Sequence, residues 1–252
     1  MIKMEEELLA LDPANSLSRV DVAIARLRAF EPPEGYFLAF SGGKDSQTVY
    51  HLAVEAGVKF DAHFNVSLEP PELMKFIRLN YPDVKWEKHQ GFNFYTKMER
   101  KGFPLRQARW CCEYMKEWGG AGRIVLTGVR WEESPRRRKR QLVDHLTKSR
   151  ILPEPKVCVN PIIDWQLSDV WGYLRARNIR HCSLYDIGFK RLGCVLCPMA
   201  TAAEKRLESL FWPKITNAWL SSFQRLYDRR VSEGNESVKR WSSAKAMLDW
   251  YI

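Results

Sequence analysis

A hexapeptide at residues 41–46, Ser-Gly-Gly-Lys-Asp-Ser, combines residue types that bind anions. Its two glycines permit a tight turn and the close approach of an oxyanion, the lysine adds a positive charge, and the serines add hydroxyl donors. An apolar stretch precedes it and a helix-like stretch follows, so backbone N–H groups and the positive helix end face one concavity. It is not a Walker A loop, because the GxxxxGK[ST] spacing is missing. The alternative is a plain strand-to-helix turn. The candidate phosphate-binding residues are Ser41, Gly42, Gly43, Lys44, Asp45 and Ser46.

Four cysteines form two pairs, Cys111-Cys112 and, far downstream, Cys194-x-x-Cys197. Four thiolates are the usual ligand set for tetrahedral zinc or for a [4Fe–4S] cluster. Zinc sites favour two to four residues between paired cysteines, and an adjacent pair is unusual for them. The spacing alone therefore predicts four soft metal ligands, and the alternative is a set of unrelated buried cysteines.

The other two cysteines are predicted to be structural. Cys158 lies in an apolar, strand-like stretch at residues 157–163, which favours a place in the core. Cys182 is also predicted to be buried, and the alternative is that it faces the functional site. The aromatic residues near the C-terminus are treated in the same way, because aromatic side chains at helical spacing are more often core than platforms for nucleic-acid bases. They are Trp212, Trp219, Trp241 and Trp250.

Strand-like and helix-like segments alternate along the first two thirds of the chain. This order predicts an α/β fold, a doubly wound parallel sheet covered by helices on both faces. Helix-like segments are residues 16–30, 46–56 and 72–79, and strand-like segments are 36–40, 60–66, 84–86 and 123–129. Beyond about residue 160 the pattern becomes a helix at 167–177, an irregular stretch at 182–198 and helical spacing at 202–252. The predicted organisation is an N-terminal helical cap at 1–34, a nucleotide-binding domain at 35–200 and a helical C-terminal segment at 201–252.

Composition restricts the class of protein. The chain has 252 residues, of which 45% are hydrophobic, so a substantial core can form. The formal net charge of +10 suits a polyanionic partner such as a nucleotide, pyrophosphate or nucleic acid. No run approaches the ~18 apolar residues of a membrane span, and the N-terminus is acidic where a secretory signal would be apolar. We therefore expect a cytoplasmic protein with no membrane association.

The loop at 41–46 resembles the pyrophosphate-binding loop of the PP-loop ATP pyrophosphatase superfamily, and further stretches resemble its phosphoadenosine phosphosulfate reductase family. Those stretches are Arg109–Cys112 with Lys116; Thr127–Arg130 with Glu133, Ser134 and Arg136; Asn160–Trp165 with Asp169–Trp171; and Leu184–Gly188 leading to Gly193–Pro198. The resemblance spans about residues 36–200 and implies an adenine nucleotide alpha hydrolase-like fold. It also implies ATP with Mg²⁺ at residues 41–46 and Gly128, a [4Fe–4S] cluster on the four paired cysteines, and catalytic roles for Lys44, Asp45, Arg130 and Arg136. Arg137, Arg138 and Lys139 are as consistent with a solvated charged loop as with contact to a ligand.

The resemblance leaves two enzymatic functions and one non-catalytic function. An ATP pyrophosphatase adenylates an acceptor, whereas a reductase accepts adenylyl sulfate or phosphoadenylyl sulfate and releases sulfite. Reductases of this family tend to have loops that depart from SGGKDS, and they use a nucleophilic cysteine in a C-terminal tail. Because no cysteine follows Cys197 in the sequence, Cys182 is the remaining candidate nucleophile. The third possibility is a nucleotide-binding scaffold subunit with a structural cluster.

We expect the first function. Family members with both a cluster and an intact loop include the ATP pyrophosphatase component of DNA phosphorothioation systems. The resemblance thus implies a nucleic-acid phosphate as acceptor and a cysteine desulfurase or another sulfur donor as partner. The sequence does not predict the oligomeric state.

Overall fold

The computed structural model describes residues 18–146 and 154–252. Within these residues a six-stranded sheet has the order β3-β2-β1-β4-β6-β5. Its strands are β1 (Tyr36–Ala39), β2 (Phe60–Asn65), β3 (Lys85–Glu87), β4 (Ile124–Leu126), β5 (Val143–Leu146) and β6 (Lys156–Val159). Neighbouring strands from β3 to β6 are parallel. The predicted α/β fold with a doubly wound, mainly parallel sheet is therefore confirmed.

The edge strand β5 differs from the prediction of an all-parallel sheet. It pairs antiparallel with β6, with Val143 opposite Val159 and Leu146 opposite Lys156. A parallel return needs a crossover of about a dozen residues or more, and the chain between Leu146 and Lys156 is shorter than that. β5 was not predicted, because its polar centre at Asp144 and His145 lacks the apolar run of a buried strand.

Eight α-helices of at least eight residues lie within the described residues. They are α1 (Arg19–Ala29), α2 (Lys44–Ala56), α3 (Pro71–Asn80), α4 (Phe94–Lys101), α5 (Leu167–Ala176), α6 (Ala202–Phe211), α7 (Pro213–Ser232) and α8 (Ala244–Tyr251). The predicted N-terminal helix begins at Arg19 because Ser18 and Asp21 form a capping box, and residues 16 and 17 lie outside the described part. α4 was not predicted. No helix of the described residues is long and apolar enough to cross a membrane.

Short helical segments complete the secondary structure. A helical turn, Trp110–Cys112, continues as a π-helix, Glu113–Glu117. Within residues 18–146 and 154–252, three 3₁₀ segments are Trp131–Glu133, Arg137–Lys139 and Glu236–Arg240. The stretch predicted to be irregular, 182–198, contains turns and neither helix nor strand.

The chain divides into two compact units. The first, called the sheet unit here, comprises the described residues of Met1–Val66, Pro71–Glu87 and Trp118–Leu192. The second, called the cysteine unit, comprises Ser67–Pro70, Lys88–Glu117 and Gly193–Ile252. This grouping differs from the predicted division into three consecutive segments, because residues 88–117 belong with the C-terminal helices rather than with the sheet.

Strand β1, which leads into the glycine turn at residues 41–46, lies in the core of the sheet unit. Tyr36 and Leu38 of β1 are fully buried, and β1 pairs with β2 on one side and β4 on the other. The Tyr36 hydroxyl donates to the carbonyl of Leu27 in α1 (2.7 Å), which anchors α1 beside the strand. A central parallel strand that ends in a glycine turn delivers the next helix at the carboxyl edge of the sheet, where ligands bind in open α/β folds.

Candidate functional site

The loop between β1 and α2 has a conformation that requires glycine. Gly43 is the N-cap of α2 and has an extended backbone. Gly42 has φ +69°, and a Cβ placed on it would lie 2.6 Å from two side-chain carbons of Ile77. A side chain at residue 42 would therefore meet both an unfavourable φ and a steric overlap. The predicted strand, glycine turn and helix are all present.

The two serines of the loop bond to the loop itself. The Ser46 hydroxyl donates to the Gly43 carbonyl (2.9 Å) and accepts from the Ser41 N–H (3.1 Å). The Ser41 hydroxyl lies 3.0 Å from the Ser46 hydroxyl. These bonds hold the loop in shape, so both serines have a structural role in addition to the ligand contacts predicted for them.

The start of α2 carries a side chain to which the sequence analysis gave no separate role. The Lys44 N–H, in the first turn of the helix, donates to the hydroxyl of Tyr185 (3.0 Å). Burial raises the pKa of Tyr185, so its hydroxyl keeps its proton at neutral pH and can donate it to an anion. The ring of Trp171 packs edge-on against Tyr185 with centroids 5.1 Å apart. Tyr185 belongs to the stretch Leu184–Gly188 that resembles the family, but the sequence spacing did not indicate that its side chain contacts Lys44.

Three of the predicted catalytic residues form one ionic network. The Asp45 carboxylate accepts from Lys44 Nζ (3.0 Å) through one oxygen and from Arg130 Nε (2.8 Å) through the other. Arg130 is 3% exposed and also donates to Glu132 (2.7 Å) and to the carbonyl of Trp165 (3.2 Å). With the carboxylates of Asp45 and Glu132 both counted, the network of two cations and two carboxylates is formally neutral. The preference of this site for an anion therefore rests on the N–H donors at the start of α2.

Gly128 and Arg136, the other two predicted residues, are placed differently. A Cβ on Gly128 would lie 2.8 Å from the carbonyl carbon of Asp45, so glycine lets the segment after β4 approach the first turn of α2. Arg136 is exposed, and its side chain forms no hydrogen bond or ion pair with any residue of 18–146 or 154–252. The structure therefore brings Gly128 to the loop but does not join Arg136 to the Lys44–Asp45–Arg130 network.

All four paired cysteines lie in the cysteine unit and influence one another electrostatically. A hydrogen bond to Cys112, burial and the charges of Cys112, Cys194 and Cys197 all raise the pKa of Cys111. The hydrogen bond from Cys111 lowers the pKa of Cys112, and the positive charge of Arg109 acts in the same direction. Arg109 Nη1 lies 3.6 Å from Cys112 Sγ. The two pairs that the sequence separates are thus neighbours in space.

The donor set can be tested against the cluster that the resemblance implies. No three His, Cys, Asp or Glu side chains of the described ranges, 18–146 and 154–252, are arranged around a point to hold a single ion. A four-iron cluster binds each thiolate through a different iron, so its ligands need not converge. Arg109, Lys116 and Lys205 supply positive charge near the thiols. The chemistry of the four soft ligands and these cations fits an anionic iron–sulfur group.

Polar contacts that the sequence analysis missed hold the Cys194–Cys197 loop. The Ser67 hydroxyl lies 3.2 Å from Cys194 Sγ. Leu196 has φ +57°, and its N–H donates to the carboxylate of Glu208 in α6 (2.6 Å). The hydroxyl of Tyr251 in α8 donates to the Leu196 carbonyl (2.8 Å). Burial raises the pKa of Glu208 to about 7. The C-terminal helices therefore shape the cysteine loop, although no motif marks these residues.

The remaining cysteines and two of the tryptophans are buried, as predicted. Cys158 is 3% and Cys182 is 1% exposed, and burial raises the pKa of both thiols. Trp212 and Trp219 are buried, and the Trp219 ring stacks on Tyr251 with centroids 5.2 Å apart. Trp241 is half-buried, whereas Trp250 is 52% exposed, so the prediction that all four tryptophans lie in the core is wrong for Trp250.

Comparison with known proteins gives results consistent with these features. The family model described as phosphoadenosine phosphosulfate reductase domain matches residues 35–200. The uncharacterized protein MJ0973 of Methanocaldococcus jannaschii is 31% identical over 203 residues, 75% of this chain and 48% of that protein. Adenosine 5'-phosphosulfate reductase of Staphylococcus saprophyticus is 31% identical over 159 residues, 59% of this chain and 62% of that protein.

One solved structure and the lengths of the relatives complete the comparison. Phosphoadenylyl-sulfate (PAPS) reductase from Candida auris, crystallised as a phosphate complex, is 16% identical with a TM-score of 0.49, covering 71% of this chain and 88% of that one. The chain spans about half the length of the curated relatives that it matches over most of its own length.

Proposed function

The chain belongs to the phosphoadenosine phosphosulfate reductase family, and from this premise we propose that it is an ATP pyrophosphatase-type enzyme that adenylates an acceptor for sulfur incorporation. The acceptor in this proposal is a nucleic-acid phosphate, as in DNA phosphorothioation. The proposal extends to a [4Fe–4S] cluster on the cysteine quartet and to Mg²⁺ as the companion of ATP.

The observation that carries this proposal is the intact phosphate loop at the start of α2. The first-turn N–H groups, the Lys44 ammonium and the Tyr185 hydroxyl gather donors around one end of a 13-residue helix. Such an end is suited to phosphate oxygens. ATP needs a site for its β- and γ-phosphates, whereas an adenylyl sulfate has none, so a complete loop favours ATP as the substrate.

The proposed reaction is an in-line attack on the α-phosphorus. An oxygen of the acceptor forms a bond to this phosphorus while the bond to the bridging oxygen breaks, and pyrophosphate leaves with that oxygen. Lys44 and Arg130 would stabilise the charge that develops on the leaving group. The outer sulfur of a persulfide then attacks the activated phosphorus of the acceptor, and AMP leaves. A second thiol cleaves the new S–S bond, which leaves one sulfur on the acceptor and releases the carrier as a disulfide.

Mg²⁺ and the iron–sulfur cluster would be held by different groups. Both oxygens of Asp45 are already paired with cations, so Mg²⁺ would be held mainly by phosphate oxygens, as is usual for this ion. Cys111, Cys112, Cys194 and Cys197 would hold the cluster. When bound, it supplies one-electron chemistry and a rigid link between the two cysteine pairs.

The second candidate function is the reduction of adenylyl sulfate. Its support is that several relatives are named adenosine 5'-phosphosulfate reductase, among them those of Anoxybacillus flavithermus and Staphylococcus saprophyticus. This chemistry needs an attacking thiolate. Outside the quartet, Cys158 and Cys182 are buried with raised pKa values, which disfavours the thiolate form of both. A reductase would need a thiol from another source.

A paired assay separates these functions. Anaerobically purified protein is given ATP, Mg²⁺, a single-stranded DNA oligonucleotide and a persulfide with a reducing thiol, and AMP and pyrophosphate are measured. A parallel sample receives adenylyl sulfate and thioredoxin, and sulfite is measured. We expect AMP and pyrophosphate in the first sample, lost in Lys44→Ala, and no sulfite in the second. Sulfite from the unmutated protein that disappears in Cys182→Ser would establish the reductase, and no product in either sample would favour the scaffold.

A further inference from the structure

A groove of about 470 Å³ lies in the cysteine unit, and none of the four paired cysteines lines it. Its walls are residues 89–93, one face of α4 and the side chain of Tyr114. None of the residues that line it, all of which are described, is acidic. The proposed ATP chemistry does not use this groove.

Aromatic rings form one wall of the groove. Phe92, just before α4, and Tyr114, in the π-helix, stack with centroids 5.0 Å apart and planes 6° from parallel. The ring of His89 meets both edge-on, with centroids 6.3 Å from Phe92 and 5.8 Å from Tyr114. Phe92 and Tyr114 are half-buried, so part of each ring is accessible. A flat π-system can extend such a stack.

Basic side chains form the other wall. Lys97, Arg100 and Lys101 are three and four residues apart in α4, so they share one helix face, while Phe94 and Met98 are buried on the other. The Lys97 ammonium lies 4.6 Å from the centroid of the Tyr114 ring.

The charge of this wall is not neutralised by nearby acidic groups. Arg100 and Lys101 are exposed and form no ion pair with any residue in the described part of the chain. The acidic residue of the same helix, Glu99, is paired instead with Arg225 of α7. Lys97 likewise forms no ion pair within the described residues, so the wall carries three positive charges that are not paired with a carboxylate there.

We propose that this groove binds single-stranded nucleic acid, with one unstacked base against the Phe92–Tyr114 pair and adjacent phosphates on Lys97, Arg100 and Lys101. Stacking on aromatic rings beside a positively charged track is how proteins bind single strands without reading sequence. A duplex keeps its bases stacked inside and offers none to the rings. An acidic peptide would pair with the cations and leave the aromatic wall unused. The proposal is independent of ATP turnover.

The test measures binding of a short fluorescent single-stranded DNA oligonucleotide to the anaerobically purified full chain. Phe92→Leu removes the stacking surface, and we expect affinity to fall about tenfold, within the range measured for base–aromatic stacking. Phe92→Trp keeps a ring and should retain the affinity. Iron content and the thermal unfolding midpoint of each variant show whether the cysteine unit remains folded.

The salt dependence of binding tests the basic wall separately. Each lost phosphate contact lowers the slope of log affinity against log salt by about 0.7 for a single strand. We expect this change in Arg100→Ala and in Lys101→Ala. The matched control is Lys239→Ala, since Lys239 is exposed in the same unit but pairs with Glu236.

Three outcomes would overturn the groove proposal. They are unchanged affinity in Phe92→Leu with unchanged slopes in the lysine and arginine variants, equal affinity for duplex DNA, and equal competition by polyglutamate. Pyrophosphate release is measured in the same preparations. Oligonucleotide binding without pyrophosphate release would support the groove proposal and reject the proposed ATP chemistry. Pyrophosphate release without oligonucleotide binding would support the ATP chemistry and reject the groove proposal.

Discussion

Replacing Gly42 by alanine tests the geometry of the phosphate loop. The added Cβ would stand where φ is +69° and the Ile77 side chain is 2.6 Å away. A left-handed φ costs a residue with a Cβ about 1–2 kcal/mol, and overpacking against a buried side chain costs roughly 1–3 kcal/mol more. We therefore expect Gly42→Ala to lower the free energy of unfolding by about 2–5 kcal/mol.

Two other glycines separate these contributions. Gly57 has φ +70° with nothing within 4 Å of its Cβ position, so Gly57→Ala should show the backbone cost alone, about 1–2 kcal/mol. Gly172, within α5, has neither a left-handed φ nor a neighbour within 4 Å. Gly172→Ala should stabilise the protein by roughly 0.5–1 kcal/mol, because alanine is the better helix former. The difference between the variants at 42 and 57 measures the contact with Ile77.

The functional half of the experiment adds Gly128→Ala. A Cβ there meets the backbone of Asp45 at 2.8 Å, so it should displace the first turn of α2. Denaturant unfolding gives the stabilities, and isothermal titration with ATP and Mg²⁺ gives the affinities. We expect ATP to bind about tenfold more weakly or worse to the variants at 42 and 128, because small displacements of binding groups are costly. The variant at 57 should bind normally. Gly42→Ala with the stability of Gly57→Ala and unaltered ATP affinity would refute this reasoning.

Three further predictions concern other parts of the molecule. Anaerobic protein should contain about four irons per chain, which Cys194→Ser should lose and Cys158→Ser should keep in iron analysis; one zinc and no iron would contradict the cluster. Tyr185→Phe removes a hydroxyl from the start of α2, so titration should show ATP affinity reduced about fivefold, the effect of one net hydrogen bond, and an unchanged affinity would exclude the contact. Burial alone would raise the pKa of Asp61, but hydrogen bonds led by those of Arg123 hold it well below its usual value. The stability that the Asp61 carboxylate confers is thus present above its pKa of about 4 in the unfolded chain and is lost as pH falls through its lower pKa in the folded protein. Denaturant unfolding of Asp61→Asn should therefore show a loss of about 2 kcal/mol at pH 7 and a smaller loss in strong acid. Equal loss at both pH values would contradict it.

Much of the sheet unit could be predicted because its signals are local. Apolar strands, glycine turns and amphipathic helices follow one another along the chain, and the loop that ends at Ser46 is a contiguous motif. The same reasoning missed β5, an edge strand whose polar centre resembles a loop. It also missed α4, because a helix of eight residues with two buried side chains is too short to show a clear helical periodicity of apolar residues.

The candidate sites were predicted less completely, and the reason is sequence separation. Spacing identified the cysteine pairs and the loop residues, but it could not show that Tyr185 meets Lys44 or that Glu208 and Tyr251 hold Leu196. Such contacts join residues that are distant in the chain, and each depends on how the elements between them pack. Arg136 shows a different error, because it occupies a position of the family motif but does not join the ionic network of Lys44, Asp45 and Arg130.

The central claim is that ATP is cleaved between its α-phosphorus and the bridging oxygen by a site built on residues 41–46. The most direct test uses ATP labelled with ¹⁸O at the oxygen between the α- and β-phosphorus, with Mg²⁺, a single-stranded oligonucleotide and a persulfide with a reducing thiol as sulfur donor, and mass analysis of the products. The account predicts unlabelled AMP and labelled pyrophosphate from the unmutated protein, and neither from Lys44→Ala. Label in AMP, or the formation of ADP and phosphate, would contradict it.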